Sequence, residues 1–152
     1  MRRPVTILFI AAIVLVAACS NDSGPYLKVT GGGFIFNYRL ANAMAGILVV
    51  ARRKLPEDAT IEVAFENPAG GPPLIQAAEI GSETQFNLRF ESLTGIRQHV
   101  DYVATVRLIA ADGTELEKVE TIYRSLIDQA TIMPDKPLTV GPGYTPNPEA
   151  AD

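Results

Sequence analysis

The segment Thr60-Ile61-Glu62-Val63-Ala64-Phe65-Glu66 alternates polar and apolar residues without a break, with Ile61, Val63 and Phe65 on one side. Thr84-Gln85-Phe86-Asn87-Leu88-Arg89-Phe90-Glu91 repeats the pattern, with Phe86, Leu88 and Phe90 inward. A period of two cannot gather apolar groups on one face of a helix. It is what a half-buried antiparallel strand needs. Phe34-Ile35-Phe36-Asn37-Tyr38-Arg39 alternates likewise, and core packing is a better reading of its aromatic stripe than a ligand platform. Gly46 to Ala51 is an unbroken apolar run that suits a central strand. Leu74 to Ile80 is a weaker strand whose inward face the pattern leaves open. Tyr102 to Ile109 and Leu116 to Tyr123 flank Asp112-Gly113, where glycine takes a positive φ at low steric cost, so a hairpin is expected.

Turn-rich stretches such as Asn67-Pro68-Ala69-Gly70-Gly71-Pro72-Pro73 separate these strands. Beyond residue 25 nothing predicts a helix of any length; Leu40 to Ala45 and Ser125 to Ala130 suit one turn at most. About seven strands in roughly 100 residues predict an all-β fold, an antiparallel β-sandwich of immunoglobulin-like or fibronectin-like kind. Antibody-type markers are missing, since the chain has no Trp and one Cys. Tyr102 stands where a tyrosine corner would, near the start of the penultimate strand.

The start of the chain has another character. Met1-Arg2-Arg3-Pro4 is positive, and Val5 to Ala18 follows without a charge. At about 14 residues this stretch is shorter than the roughly 20 needed to span a bilayer. It fits the apolar part of a secretory signal peptide, expected as a signal helix over residues 1–18. Arg2-Arg3 lacks the rest of a twin-arginine export pattern. Val16-Ala17-Ala18-Cys19 then resembles a lipobox, in which an aliphatic and two small residues precede the cysteine that receives diacylglycerol. The chain's single Cys sits at the place that motif requires, which also removes any disulfide from the argument.

By that resemblance Cys19 is the lipidation site and the membrane is the first partner. One acyl chain binds marginally, at roughly 0.8 kcal/mol per CH₂, and two or three make the anchor lasting. Ser20 follows the cysteine where an Asp would favour inner-membrane retention. The expected location is therefore the cell envelope: the inner leaflet of the outer membrane, facing the periplasm, or the plasma membrane in a one-membrane bacterium. Residues 19–25 read as a lipidated tether, at most about 20 Å long when extended. Residues 26–132 read as the sandwich domain. Residues 133–152 form a tail in which Pro134, Pro137, Pro142, Pro146 and Pro148 alternate with glycine and small residues. Such a composition favours extended, unpacked chain. A disordered end is the leading expectation for it, with docking through Tyr144 or a folded-back Leu138-Thr139-Val140 edge strand as the alternatives.

The stretch Gly46 to Phe65, GILVVARRKLPEDATIEVAF, is more specific. Its Leu55-Pro56 turn and the Ala59-Thr60-Ile61-Glu62-Val63 strand that follows resemble the opening of small bacterial lipoproteins that include the pilotin-like chaperones of type III secretion. The likeness extends loosely over the middle two-thirds of the chain. It implies a β-sandwich lipoprotein in the envelope. Phe34 to Arg39 and the Pro-rich tail lie outside the family's pattern.

Chemistry is sparse. His99 is the single histidine, and a nucleophilic triad would have to use it with Asp101 nearby. Gly95 to Asp101 reads as a loop, so a solvated His99 is the stronger expectation. No cluster with metal-ligand spacing occurs, and Glu57-Asp58 and Asp112-Gly113 read as turn residues; no metal or cofactor is expected. Gly31-Gly32-Gly33 leads into a strand and not a helix, so it is no phosphate loop. Arg52-Arg53-Lys54 is the one basic cluster, a strand end in water more than a lipid contact. Loss of Arg2 and Arg3 with the leader leaves 11 basic against 17 acidic residues, a net charge of -6. That balance argues against nucleic acid as a partner. The expectation is a non-enzymatic binding or assembly module for another envelope protein, with Leu74 to Ile80 as an edge a partner strand could join. The alternative is a small-ligand-binding protein or minor hydrolase using His99 and Asp101. Mass spectrometry of the mature chain should find Cys19 at the N-terminus carrying lipid, and Cys19→Ser should abolish both cleavage and lipid; an unmodified cysteine there would refute the anchor.

Overall fold

The computed structural model describes residues 24–150. The leader, Cys19 and most of the tether lie outside the described residues. Seven main strands follow in order: β1 (Leu27–Asn37), β2 (Asn42–Ala51), β3 (Thr60–Phe65), β4 (Leu74–Glu79), β5 (Gln85–Leu93), β6 (Asp101–Ile109) and β7 (Glu115–Arg124). They form two antiparallel sheets, ordered β1-β2-β5 and β4-β3-β6-β7. The chain is an all-β sandwich. Its fourth strand pairs with β3, whereas a constant-type immunoglobulin domain places that strand beside the fifth.

Period-two patterning buries one face of each sheet. Ile61, Val63 and Phe65 point inward from β3, Phe86, Leu88 and Phe90 from β5, and Tyr102, Ala104, Val106 and Leu108 from β6. In β2 the unbroken apolar run divides: Ala45, Ile47 and Val49 enter the core, while Leu48 and Val50 lie half-buried on the outer face. Phe65 is the hub. Its ring meets Phe90 at 5.2 Å, Phe34 at 6.0 Å, Tyr123 at 6.3 Å and Tyr102 at 6.5 Å between centroids, in tilted and edge-on arrangements. Such pairs add about 0.5–1.5 kcal/mol each beyond burial.

Tyr102 completes a tyrosine corner. Its hydroxyl accepts from the Arg97 N–H at 2.8 Å and donates to the Gly95 carbonyl at 3.4 Å. The Asp112-Gly113 hairpin closes as expected: the Asp112 carboxylate accepts from the Thr114 N–H, Gly113 has φ 86, and Ala110 N–H donates to the Thr114 carbonyl.

The largest difference from the sequence reading is at β1 and β2. β1 starts at Leu27, not Phe34, and runs straight through Gly31-Gly32-Gly33, with a bulge between Val29 and Gly31. Pairing to β2 overrides the poor strand propensity of glycine. A Cβ at Gly32 would lie 2.3 Å from the Gly46 carbonyl and 2.7 Å from the Tyr123 hydroxyl, and its φ is 138. Tyr123 uses that closeness: its hydroxyl donates to the Gly31 carbonyl at 2.9 Å and ties β7 to β1, and burial pushes its pKa above the ordinary phenol value, so it stays a donor. Tyr38 leaves the expected aromatic stripe because β1 ends at Asn37; it opens a 3-10 turn (Tyr38–Leu40) and is half exposed. Leu40 to Ala45 forms no further helix, since β2 begins at Asn42.

Gly32→Ala should therefore destabilise by about 2–4 kcal/mol. Gly46→Ala, whose Cβ would meet nothing closer than 3.8 Å, should change stability by less than about 1 kcal/mol. Thermal unfolding of both variants checks this; equal effects would mean that the close β1–β2–β7 approach is wrong.

Candidate functional site

The strands run between two ends of unlike construction. At one end β1 enters, beside the β2–β3 turn and the β6–β7 hairpin. Glu117 of β7 accepts from the backbone N–H of Tyr26 at 2.5 Å and of Leu27 at 3.3 Å. Arg52 N–H donates to the Tyr26 carbonyl, and the Arg53 guanidinium lies 3.4 Å from the centre of the Tyr26 ring. The chain entering β1 is thus held at a defined point. A concavity of about 630 Å³ there mixes Arg52, Arg53 and Lys54 with Glu57, Asp58 and Glu83, and its charges largely balance. Asp58 takes φ 57, as befits a turn residue.

The opposite end is built from the Glu66–Pro73 and Thr94–Val100 loops and everything after Arg124. There the chain folds back. Gln98 bridges to Ser125, and His99 N–H donates to the Ser125 carbonyl at 2.9 Å. Gln129, at the head of a single helical turn α1 (Gln129–Ile132), is the main stitch. Its backbone N–H donates to the Ile96 carbonyl, its side-chain carbonyl accepts from Ile96 N–H at 3.1 Å, and its amide donates to the Leu93 carbonyl at 2.8 Å. Asp128 caps the turn by accepting from Ala130 N–H. Between these loops lies a cleft of about 670 Å³, lined among others by Pro68, Ile96, Arg97, Met133, Pro134 and Asp135. A largely apolar lining with a few charged groups, here Arg97, Asp128 and Asp135, is the usual make-up of a binding cleft.

The tail packs as well, against the leading expectation. Thr139–Val140 (β8) and Thr145–Pro146 (β9) make a small hairpin. Arg39, just after β1, clamps it: the Arg39 carbonyl accepts from Leu138 N–H at 2.9 Å, its guanidinium donates to Thr139 Oγ1 and the Gly143 carbonyl, and it stacks 4.7 Å from the centre of the Tyr144 ring. Tyr144 still exposes 82% of its surface. Sequence reading missed Arg39 and Gln129 because a polar residue in a loop carries no periodic signal. The alternating prolines that argued for an open tail become turn and strand-edge residues once Arg39 supplies partners.

His99 and Asp101 both lie at this end, and Ser125 lies beside His99. Among the described residues no side-chain hydrogen bond joins the three. Both Asp101 oxygens are taken by Arg124, at 2.5 and 2.6 Å, and the Ser125 hydroxyl donates to the Ile127 carbonyl while accepting from Ile127 N–H. Hydrogen bonding from Arg124 holds the Asp101 carboxyl below its usual range. That pair stabilises the fold above the ordinary carboxylate pKa and is lost as pH falls through the lowered value, an effect screened at this exposed site. His99 is exposed with φ 60, a backbone conformation that is uncommon outside glycine, and Ser92 (φ 56) and Ala41 (φ 47) share it at this end.

No family model and no curated protein matches the chain. Solved structures similar in part include the following two. One is a family 76 glycoside hydrolase from a bovine Bacteroides thetaiotaomicron strain, 14% identical, with a TM-score of 0.39 over 64% of this chain and 20% of that one. The other is an alkylpurine DNA glycosylase of Pseudomonas fluorescens bound to DNA containing an abasic-site analogue, 16% identical, with a TM-score of 0.34 over 67% of this chain and 31% of that one. The expectation that the chain is not an enzyme is corrected here. The two structures just named are enzymes, and this chain spans 20% and 31% of their lengths. Likenesses this weak carry neither activity over to this chain.

Arg39→Ala should release the hairpin: amide exchange at Leu138 should rise at least about tenfold while the core strands stay protected. Unchanged exchange would show that Arg39 is not the clamp.

Proposed function

We propose that this chain is a membrane-anchored lipoprotein, attached through lipid on Cys19 and facing the periplasm, whose sandwich is a binding or assembly module for another envelope protein. The observation that carries the reading is the separation of its ends. The tether joins at Leu27, while the cleft, the clamped hairpin and three of the four left-handed non-glycine residues, Ala41, Ser92 and His99, gather where β1 finishes. β1 has 11 residues, so at about 3.3 Å each the cleft stands roughly 35 Å along the sheet from the attachment point. A domain held this way presents its built end to the periplasm and its plainer end to the lipid. The pilotin-like resemblance of Gly46 to Phe65 supports the envelope location, and the acidic balance of the mature chain disfavours nucleic acid.

Chemical crosslinking of the native lipidated protein in its own cells tests this. One envelope protein should recur, and its yield should fall at least about tenfold in an Ala69→Arg/Arg97→Glu variant whose unfolding temperature moves by less than about 5 °C. Absence of any recurring envelope partner would sink the reading.

A further inference from the structure

Two open sheets have four edges, and each edge offers backbone groups to any passing strand unless something blocks it. Three of the four are blocked. β1 carries a bulge between Val29 and Gly31, the three glycines, and the Tyr123 hydroxyl on its Gly31 carbonyl. β5 has an irregular register opposite Ala43 and Ala45, Ser92 at φ 56, and the charges of Arg89 and Glu91. β7 breaks register opposite Leu108 and Ile109 and carries Glu115, Glu117, Lys118, Glu120 and Arg124.

β4 is different. Its register with β3 runs unbroken from Leu74↔Phe65 to Glu79↔Thr60. Leu74-Ile75-Gln76-Ala77-Ala78-Glu79 contains no glycine, proline, lysine or arginine. Its backbone direction follows from two hydrogen bonds. Ile80 N–H donates to the Ala59 carbonyl, and Glu66 N–H donates to Val103 of β6. Antiparallel pairs alternate between bonded and non-bonded, so Leu74, Gln76 and Ala78 bond to β3. Ile75, Ala77 and Glu79 then aim N–H and C=O at the open side. Leu74 and Ala78 are half-buried against the core at this margin, Ile75 exposes 52% of its surface on the outer face, and Glu79 is also exposed.

We infer that β4 is the docking edge for an extended segment of the envelope partner, which adds antiparallel or parallel as an eighth main strand and bonds to Ile75, Ala77 and Glu79. This rests on the reading of the chain as a binding module. The segment that fits has apolar side chains at alternate positions, to cover Leu74 and Ala78, and a lysine or arginine opposite Glu79. Charge decides between occupants. In an antiparallel pairing of two β4 strands about Ala77, Glu79 would face Ile75 of the second copy and find no counter-charge, and both copies are acidic overall. β4 leaves the Glu66–Pro73 loop that walls the cleft, so a partner seated at that end has the edge within reach.

The test places a photo-crosslinking amino acid at Ala77 of the full-length lipidated protein, or at Lys118 on the β7 edge as control, irradiates cells and sequences the crosslinked peptide. The expected result is one peptide of an envelope protein with alternating apolar residues and a basic residue, at least about tenfold stronger from position 77 than from 118. A synthetic copy of that peptide should slow amide exchange at Ile75, Ala77 and Glu79 at least about tenfold in the full-length protein. Ala77→Pro removes an N–H that β3 does not use, so it should abolish both effects with the fold intact. Ile75→Lys, which keeps every backbone donor, should weaken them and serves where the proline variant does not fold. Crosslinks from position 77 to a second copy, or a captured peptide that gives no exchange protection, would overturn the inference. A partner captured at the cleft but not at Ala77 would overturn the edge and leave the proposed function standing, whereas no partner at either place would remove both.

Discussion

The fold depends on one contact above others, the packing of Phe65 between two sheets. Its ring touches Phe90 from one sheet, Tyr102 and Tyr123 from its own, and Phe34 from β1. Phe65 is fully buried, and it is the last residue of β3, so the aromatic cluster sits next to the Glu66–Pro73 loop. The two tyrosines extend the cluster into polar structure. Tyr102 bonds the backbone of Gly95 and Arg97, and Tyr123 bonds Gly31. A close-packed core therefore sets the position of the loops that form the cleft, because a rigid ring with a hydroxyl at its tip passes position outward.

From there the far end is organised by backbone accounting. Every loop that leaves a sheet must find partners for its N–H and C=O groups. The segment after Arg124 supplies them: Ser125 for His99, Gln129 for Leu93 and Ile96. Arg39 does the same for the last hairpin. The consequence is a set of ordered loops at the end opposite the entry of β1, with a cleft between them whose lining includes Arg97, Asp128 and Asp135. Three sheet edges are closed by bulges, charges or a tyrosine hydroxyl, and the fourth is smooth. Both features concern what the domain presents to its surroundings and neither is needed to hold the core together.

Much of the sandwich was legible in the residues. Alternation over Thr60–Glu66 and Thr84–Glu91, and the Asp112-Gly113 turn, specify strands and a hairpin because side-chain direction and turn dihedrals are local matters. Tyr102 could be placed as a corner for the same reason. Those local rules also determined that the fold is all-β, and the lipobox-like stretch ending at Cys19 states its anchoring expectation without any structure. Tertiary structure decided the rest. It drew Gly31-Gly32-Gly33 into β1, set β4 beside β3 and left its far side open, turned a proline-rich tail into a clamped hairpin, and gave Asp101 to Arg124 and not to His99. Each of these depends on pairing between residues far apart in the chain. Propensity and periodicity describe a residue and its near neighbours, while register, edge exposure and hydrogen-bond partners are properties of two segments meeting in space.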